Sequence, residues 1–442
     1  MFFIERKTLK ENFLKAIQEG HLLVVGYPGI GKSWLLWQTI ELLKRQEIPT
    51  MLISIDALKV NDITDLRKMF PPSQSFEDFL NYRSGGHKAY LFIDAMDAAR
   101  SEVSQLALAK FISLVMKKCP NWTIVASIRS YDAKHSRGLV NLFPNPCKDI
   151  DAYFTLPNIN RRHFYVPELN DADLDELFNK KPPFKLIYEQ ASPELKKLFK
   201  VPFNIWLIEQ LIDEKVDVHQ ITATTAIVQL LDLFWEYRIV KKDDMTDRLT
   251  MLNKITLDMV KNHSLSIEQQ DAILPGLTHT YKGLLSDKVL IPLTTSENTL
   301  GFEHNILFDY AVSRVLMREN AEDLLKFVSE DAGRPIFLRP SINFYFSRLW
   351  YSDTNLFWKI FWHFQSGNND EYISLLPVLT LVNEIKDWTQ LEVLIKVKGN
   401  KHYAEAINRT IKVFDISRTS ISILDVAWIK FFFELSKEIN LT

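Results

Sequence analysis

Gly26-Tyr27-Pro28-Gly29-Ile30-Gly31-Lys32-Ser33 is the stretch on which the reading of this chain turns. It fits the pattern G-x-x-x-x-G-K-[ST], with the apolar run His21–Val25 directly before it and an apolar, helix-compatible run directly after it. Strand before and helix after is the context the pattern requires. The glycines let backbone N–H groups curl around phosphate oxygens, and the helix beginning near Lys32 adds unpaired donors and the positive end of its dipole. The expected phosphate-binding set is therefore Gly26, Pro28, Gly29, Ile30, Gly31, Lys32, Ser33 and Trp34. Lys32 should reach the β- and γ-phosphates of ATP, and Ser33 should ligate Mg²⁺.

Working outward, five short apolar runs rich in β-branched residues alternate with helical periodicity: His21–Val25, Thr50–Ile55, Tyr90–Asp94, Trp122–Ile128 and His163–Val166. That alternation predicts an α/β fold with a parallel sheet covered by helices. From Leu169 the strand signal stops, and helices are predicted at Asp171–Asn179, Pro183–Gln190, Pro193–Phe199, Phe203–Ile212, Thr225–Ile239 and Asp247–Lys261. Two apolar runs, Val289–Leu293 and Thr299–Glu303, flank the polar turn Thr294–Asn298 and read as a hairpin. The expected division is a P-loop domain over residues 1–168, a helical lid over 169–221, a winged-helix domain over 222–330 and a helical region over 331–442. In the last of these, Trp358, Phe361, Trp362 and Phe364 fall at helical spacing and are read as core.

A P-loop needs a second carboxylate for magnesium from the end of a neighbouring buried strand, and Tyr90-Leu91-Phe92-Ile93-Asp94 supplies Asp94. Two readings stand for Asp97: it orients or deprotonates the attacking water, or it caps a helix over Ala98–Lys110. Two also stand for Arg129 at the end of the next strand: a sensor of the γ-phosphate, or a salt-bridge partner.

With these motifs placed, the chain resembles the STAND branch of AAA+-like P-loop NTPases over roughly residues 1–330. The resemblance rests on the P-loop, on Leu91-Phe92-Ile93-Asp94-Ala95-Met96-Asp97 as a Walker B segment with a second Asp, and on Ser127-Ile128-Arg129 as a sensor strand. Val201-Pro202-Phe203-Asn204-Ile205-Trp206-Leu207 is similar to the proline-containing helix that closes over adenine, which implicates Pro202. Gly301-Phe302-Glu303-His304 resembles the winged-helix segment whose histidine meets the phosphates of ADP, which implicates His304. Glu5-Arg6 resembles the stretch near the base, although Arg6 by itself reads as a solvated charge. The resemblance implies an ATP-dependent switch, closed with ADP and forming a homo-oligomer with ATP, in prokaryotic-type defence or signalling. NACHT-type members commonly carry an acidic residue where this chain has Ala98, which implies slow hydrolysis. Little chain precedes Gly26, so an effector is expected as a separate protein or as part of a larger system.

Composition narrows the alternatives. Apolar residues make up 47% and charged residues 24% of the 442, the balance of a folded globular protein. With 53 basic against 55 acidic residues, net charge −2 does not mark a nucleic-acid or anionic-membrane binder. Lys117-Lys118, Lys196-Lys197, Lys241-Lys242 and Arg161-Arg162-His163 are dispersed and read as solvated faces. Two cysteines, Cys119 and Cys147, exclude a disulfide framework, and with no signal-peptide core or spanning stretch the expected location is the cytoplasm. The competing function is a motor-like ATPase that remodels DNA or protein, distinguished from a switch by ready ADP release and polymer-stimulated turnover.

Overall fold

A computed structural model of the chain describes residues 4–58, 62–67, 70, 73–144, 150–293, 298–366, 369–397, 401–417 and 426–437. The five apolar runs form strands Leu22–Gly26 (β1), Thr50–Ser54 (β2), Ala89–Asp94 (β3), Trp122–Arg129 (β4) and His163–Tyr165 (β5). All pairings are parallel, and the order is β2-β3-β4-β1-β5. Register brings Gly26 opposite Arg129 and Ser54 opposite Asp94, so the P-loop, the arginine and the carboxylate leave the sheet at one edge. One expectation is corrected: β3 does not adjoin the P-loop strand. Both sides of β1 are occupied, by β4 and β5, which places Asp94 one strand further out, about 4.8 Å per strand spacing.

Successive strand residues point to opposite faces, and both faces are covered. Leu23, Val25, Leu91 and Ile93 pack with Phe111, Ile112 and Val115 of the helix Glu102–Lys118 and with Phe76 and Leu80. Leu22, Val24, Tyr90 and Phe92 pack with Phe13 and Ile17 of the helix Lys7–Gln18 and with Leu36 and Ile40 of the helix Lys32–Arg45. Burying an aliphatic or Phe side chain contributes about 1.5–3 kcal/mol, which is why these runs tolerate almost no polar residue. Cys119 follows the first of these helices in the same core, fully buried, and burial pushes its thiol up to about 11. Cys147 lies outside the described residues.

After the sheet come helices Asp171–Lys180, Pro182–Gln190, Pro193–Leu198 and Pro202–Asp213, with a proline in the first turn of the last three. The helix expected at Thr225–Ile239 is Ile227–Trp235 followed by a π-helical turn Glu236–Val240, and Met245–Lys261 comes next. The expected hairpin is present as Leu290–Pro292 paired antiparallel with Thr299–Phe302, and Ser266–Glu268 adds a third strand to the second of these. Residues 294–297 of its turn lie outside the described residues. The architecture is thus α/β, a five-stranded parallel sheet followed by helices and a small antiparallel sheet.

The chain divides into two compact units, Met1–Phe308 and Asp309–Thr442. The second is helical. Its core holds Tyr345, Phe346, Phe357, Phe361 and Phe364, all buried, and Trp358 is nearly so. Trp362 is half-buried and stacks on Trp358 at 5.8 Å. Among the described residues no helix is long and apolar enough to cross a membrane.

Candidate nucleotide site

The P-loop turns where its glycines require it. Gly29 and Gly31 have φ of +73° and +95°, in the left-handed region. A Cβ on Gly29 would also lie 2.5 Å from Cβ of Phe203. Lys32 opens its helix and is buried; its ammonium donates to the carbonyls of Gly26 at 2.9 Å and Tyr27 at 3.1 Å. Burial lowers its pKa to about 8, with Arg129 acting in the same direction and Asp97 and Asp94 opposing. Ser33 is exposed beside it.

Asp94 ends β3. Its Oδ1 accepts from the Ser127 hydroxyl at 2.5 Å and from the Ala95 N–H at 3.0 Å. Ala95 has φ +55°, so the chain reverses immediately and Met96–Ala98 form a single 3₁₀ turn. The cap reading of Asp97 is therefore corrected: the helix starts at Glu102, and Ser101 caps it by accepting from the Ser104 N–H at 3.1 Å. Asp97 instead meets Arg129, with Oδ2 and Nε 2.5 Å apart and both side chains largely buried. Arg129 is thus an ion-pair partner inside the cleft rather than on the surface.

Pro202 opens the helix Pro202–Asp213, and the next N–H, of Phe203, donates to the Gly29 carbonyl at 3.0 Å. This fastens the helix to the P-loop. His304 approaches from the other side, its ring 4.4 Å from that of Phe203. Its Nδ1 accepts from the Ile306 N–H at 3.1 Å, and its carbonyl accepts from the Leu307 N–H at 2.8 Å. It therefore does cap its helix. Burial drives its pKa down to about 3, helped by the positive charges of Arg129 and Lys32 and opposed by Asp97. The ring is neutral at physiological pH, and since Nδ1 accepts, the proton is on Nε2.

Pro28, Gly29, Ile30, Gly31, Lys32, Ser33, Trp34, Asp94, Asp97, Arg129, Pro202 and His304 all line one cavity of about 460 Å³. Gly26 does not. It is glycine for packing, because a Cβ there would meet Cγ2 of Ile30 at 2.8 Å and the Val166 carbonyl at 3.2 Å. A separate cleft at Arg67, Ser75 and Lys118 shares no residue with this cavity. The donor set fits a magnesium nucleotide: a buried ammonium and a helix N-terminus for phosphate, with the Ser33 hydroxyl and the Asp94 carboxylate as hard oxygen ligands.

The sequence reading missed three things. Arg6 is not a solvated charge; its Nη2 donates to the Glu168 carbonyl at 2.9 Å and its Nε lies 3.3 Å from Asp173 Oδ2. Asp56 and Asn305 also line the cavity, joined by an Asn305 Nδ2–Asp56 Oδ2 hydrogen bond of 3.2 Å. Burial, with Asp94 and Asp97 nearby, raises the Asp56 carboxyl above its ordinary value. Its signal was available, since Asp56 follows an apolar strand just as Asp97 does.

No protein-family model matches the chain, and no curated protein matches it. Among solved structures it is similar to the STAND protein with a tetratricopeptide-repeat sensor from Pyrococcus horikoshii, at 14% identity and TM-score 0.37, covering 98% of this chain and 67% of that one. It is also similar to the Walker-type ATPase of Pyrococcus abyssi, at 13% identity and TM-score 0.33, covering 70% and 96%. A third is the Orc1 protein of Aeropyrum pernix solved in complex with DNA, at 7% identity and TM-score 0.34, covering 71% and 93%. At these identities and scores no property of those proteins carries over to this chain.

Proposed function

We propose that the chain is an ATP-binding, slowly hydrolysing switch of the STAND type, closed with ADP and oligomerising with ATP, with prokaryotic-type defence or signalling as its setting. The observation that carries this reading is His304: a neutral ring from the segment after the wing, facing the same cavity as Lys32 and Arg129. A motor has no need to seal its phosphates with a residue some 270 positions away; a switch that must retain ADP does. In this reading the Gly29–Ser33 backbone and Lys32 hold the phosphates, His304 donates from Nε2, and Pro202 and Phe203 close the adjoining wall. Ser33 and Asp94 would hold Mg²⁺, which neutralises phosphate charge when bound. Asp97, oriented by Arg129, takes the proton of the attacking water, and Arg129 stands by for the γ-phosphate.

Nucleotide content and mass of the purified protein test the proposal. ADP that survives gel filtration, and a mass that rises on adding ATP and Mg²⁺, are expected. Rapid ADP loss, constant mass and hydrolysis stimulated by DNA or an unfolded polypeptide would replace the switch with the motor.

A further inference from the structure

We infer that Asp56 is a positioning residue of this site: through Asn305 its carboxylate ties the chain at His304 to the carboxyl edge of the sheet and so keeps the His304 ring in the cavity. This rests on the switch reading just given and assigns one of its restraints.

Asp56 lies two residues beyond β2, whose last residue, Ser54, is in register with Asp94. Both carboxylate oxygens are used. Oδ1 accepts from the Ser54 hydroxyl at 2.6 Å, within the same turn, and Oδ2 accepts from Asn305 Nδ2 at 3.2 Å across 249 residues of sequence. A carboxylate only accepts, so the Asn305 amide must present its nitrogen, which fixes that side chain's orientation. Both partners are neutral. The acid is therefore not one half of a salt bridge, and two further carboxylates, Asp94 and Asp97, act against its charge. A carboxyl maintained there against burial and like charge needs a compensating contact, and the long-range one goes to the residue adjoining His304. Among the described residues the His304 ring accepts from the Ile306 N–H, within its own turn, and lies against the ring of Phe203. Without the Asp56 link nothing else among these hydrogen bonds joins that turn to the sheet.

The simpler role for Asp56 is to brace its own turn through Ser54, and the test separates the two. Full-length protein is loaded with a fluorescent ADP analogue and chased with unlabelled ADP. Asp56→Ala and Asn305→Ala should each accelerate release roughly tenfold, about 1.4 kcal/mol. The double substitution should add little beyond either one, because both remove the same contact. The reciprocal exchange, Asp56→Asn with Asn305→Asp, restores a donor–acceptor pair and should bring the rate back to within a few-fold of wild type. A wild-type rate in Asp56→Ala and Asn305→Ala, alongside an accelerated rate in His304→Ala, overturns this inference and leaves the switch reading standing. So does a double substitution whose effect is the product of the singles. An unchanged rate in His304→Ala defeats the switch reading itself, and this inference with it. Should Asp56→Ala not fold, Asn305→Ala and the exchange, both of which keep the Ser54 turn supplied or intact, decide the question.

Discussion

The Lys32 ammonium donates to the carbonyls of Gly26 and Tyr27, so truncation removes the proposed phosphate ligand rather than a part of the apolar core. Lys32→Ala should lower affinity for a fluorescent ATP analogue about ten- to a hundredfold, from roughly 1.5–3 kcal/mol for a charge-assisted hydrogen bond. Circular dichroism should remain that of the folded chain. His304 makes a pH prediction whose sign follows from its depressed pKa. Between its ordinary 6.5 and about 3 the unfolded ring binds a proton that the folded ring refuses. Its contribution is present above 6.5 and is lost on acidification, at about 1.4 kcal/mol per pH unit. The stability difference between wild type and His304→Phe in urea should therefore shift against wild type by about 2 kcal/mol from pH 7 to pH 5. A constant difference would mean that the ring takes up its proton over the same pH range in the folded and unfolded chain. Asp97 and Arg129 are coupled more tightly still: Arg129→Met leaves a buried carboxylate and should cost about 3–5 kcal/mol, much of it recovered in Arg129→Met with Asp97→Leu.

The strands were legible because each is a short apolar run, buried on both faces in β1, β3 and nearly all of β4, and β1 to β5 begin and end within a residue of expectation. The separation of β1 from β3 by β4 was not, since nothing in a strand's own residues says so. Element boundaries failed where a single backbone angle decides them. Ala95 at φ +55° carries no sequence sign of its turn, and the helix begins four residues later than Ala98 as a result. The strand Ser266–Glu268 was missed because three residues are too few to show a period. In the site, Lys32, Asp94 and Arg129 were readable as motif positions, whereas the Asp97–Arg129 pair and the Asp56–Asn305 contact exist only through the register of the sheet and the return of the chain. The join between the P-loop and the helix Pro202–Asp213 gives its own test. Gly29→Ala forces φ +73° on a residue with a side chain and drives its Cβ into Phe203. It should cost about 1–3 kcal/mol and weaken nucleotide binding, read by calorimetry.

Within residues 1–308 Glu214, Arg238, Arg248 and Asp287 form a largely buried ionic cluster. Asp287 receives Arg238, from the π-helical turn, at 3.2 Å and Arg248 at 2.7 Å, and Arg238 also reaches Glu214 at 3.2 Å. Buried pairs contribute little net stability but penalise any arrangement that separates them, so this cluster fixes the register of the helices it joins. Asp287→Asn should lower the melting temperature by several degrees, since about 1 kcal/mol corresponds to a few degrees in a chain of this size. Beneath all of this lies Cys119, sealed in the sheet core with its thiol pushed up to about 11. At neutral pH that sulfur is neither ionised nor reachable, so it cannot be alkylated until the core opens. Its labelling, followed peptide by peptide in a mass spectrometer, becomes a clock for the opening of the unit Met1–Phe308. A ligand that binds only the closed core slows that clock by the factor one plus its concentration over its dissociation constant, about a hundredfold at a hundred times Kd. A buried thiol with no chemistry of its own thus offers a way to weigh ADP, ATP or any other ligand on the native chain, without a labelled ligand and without turnover.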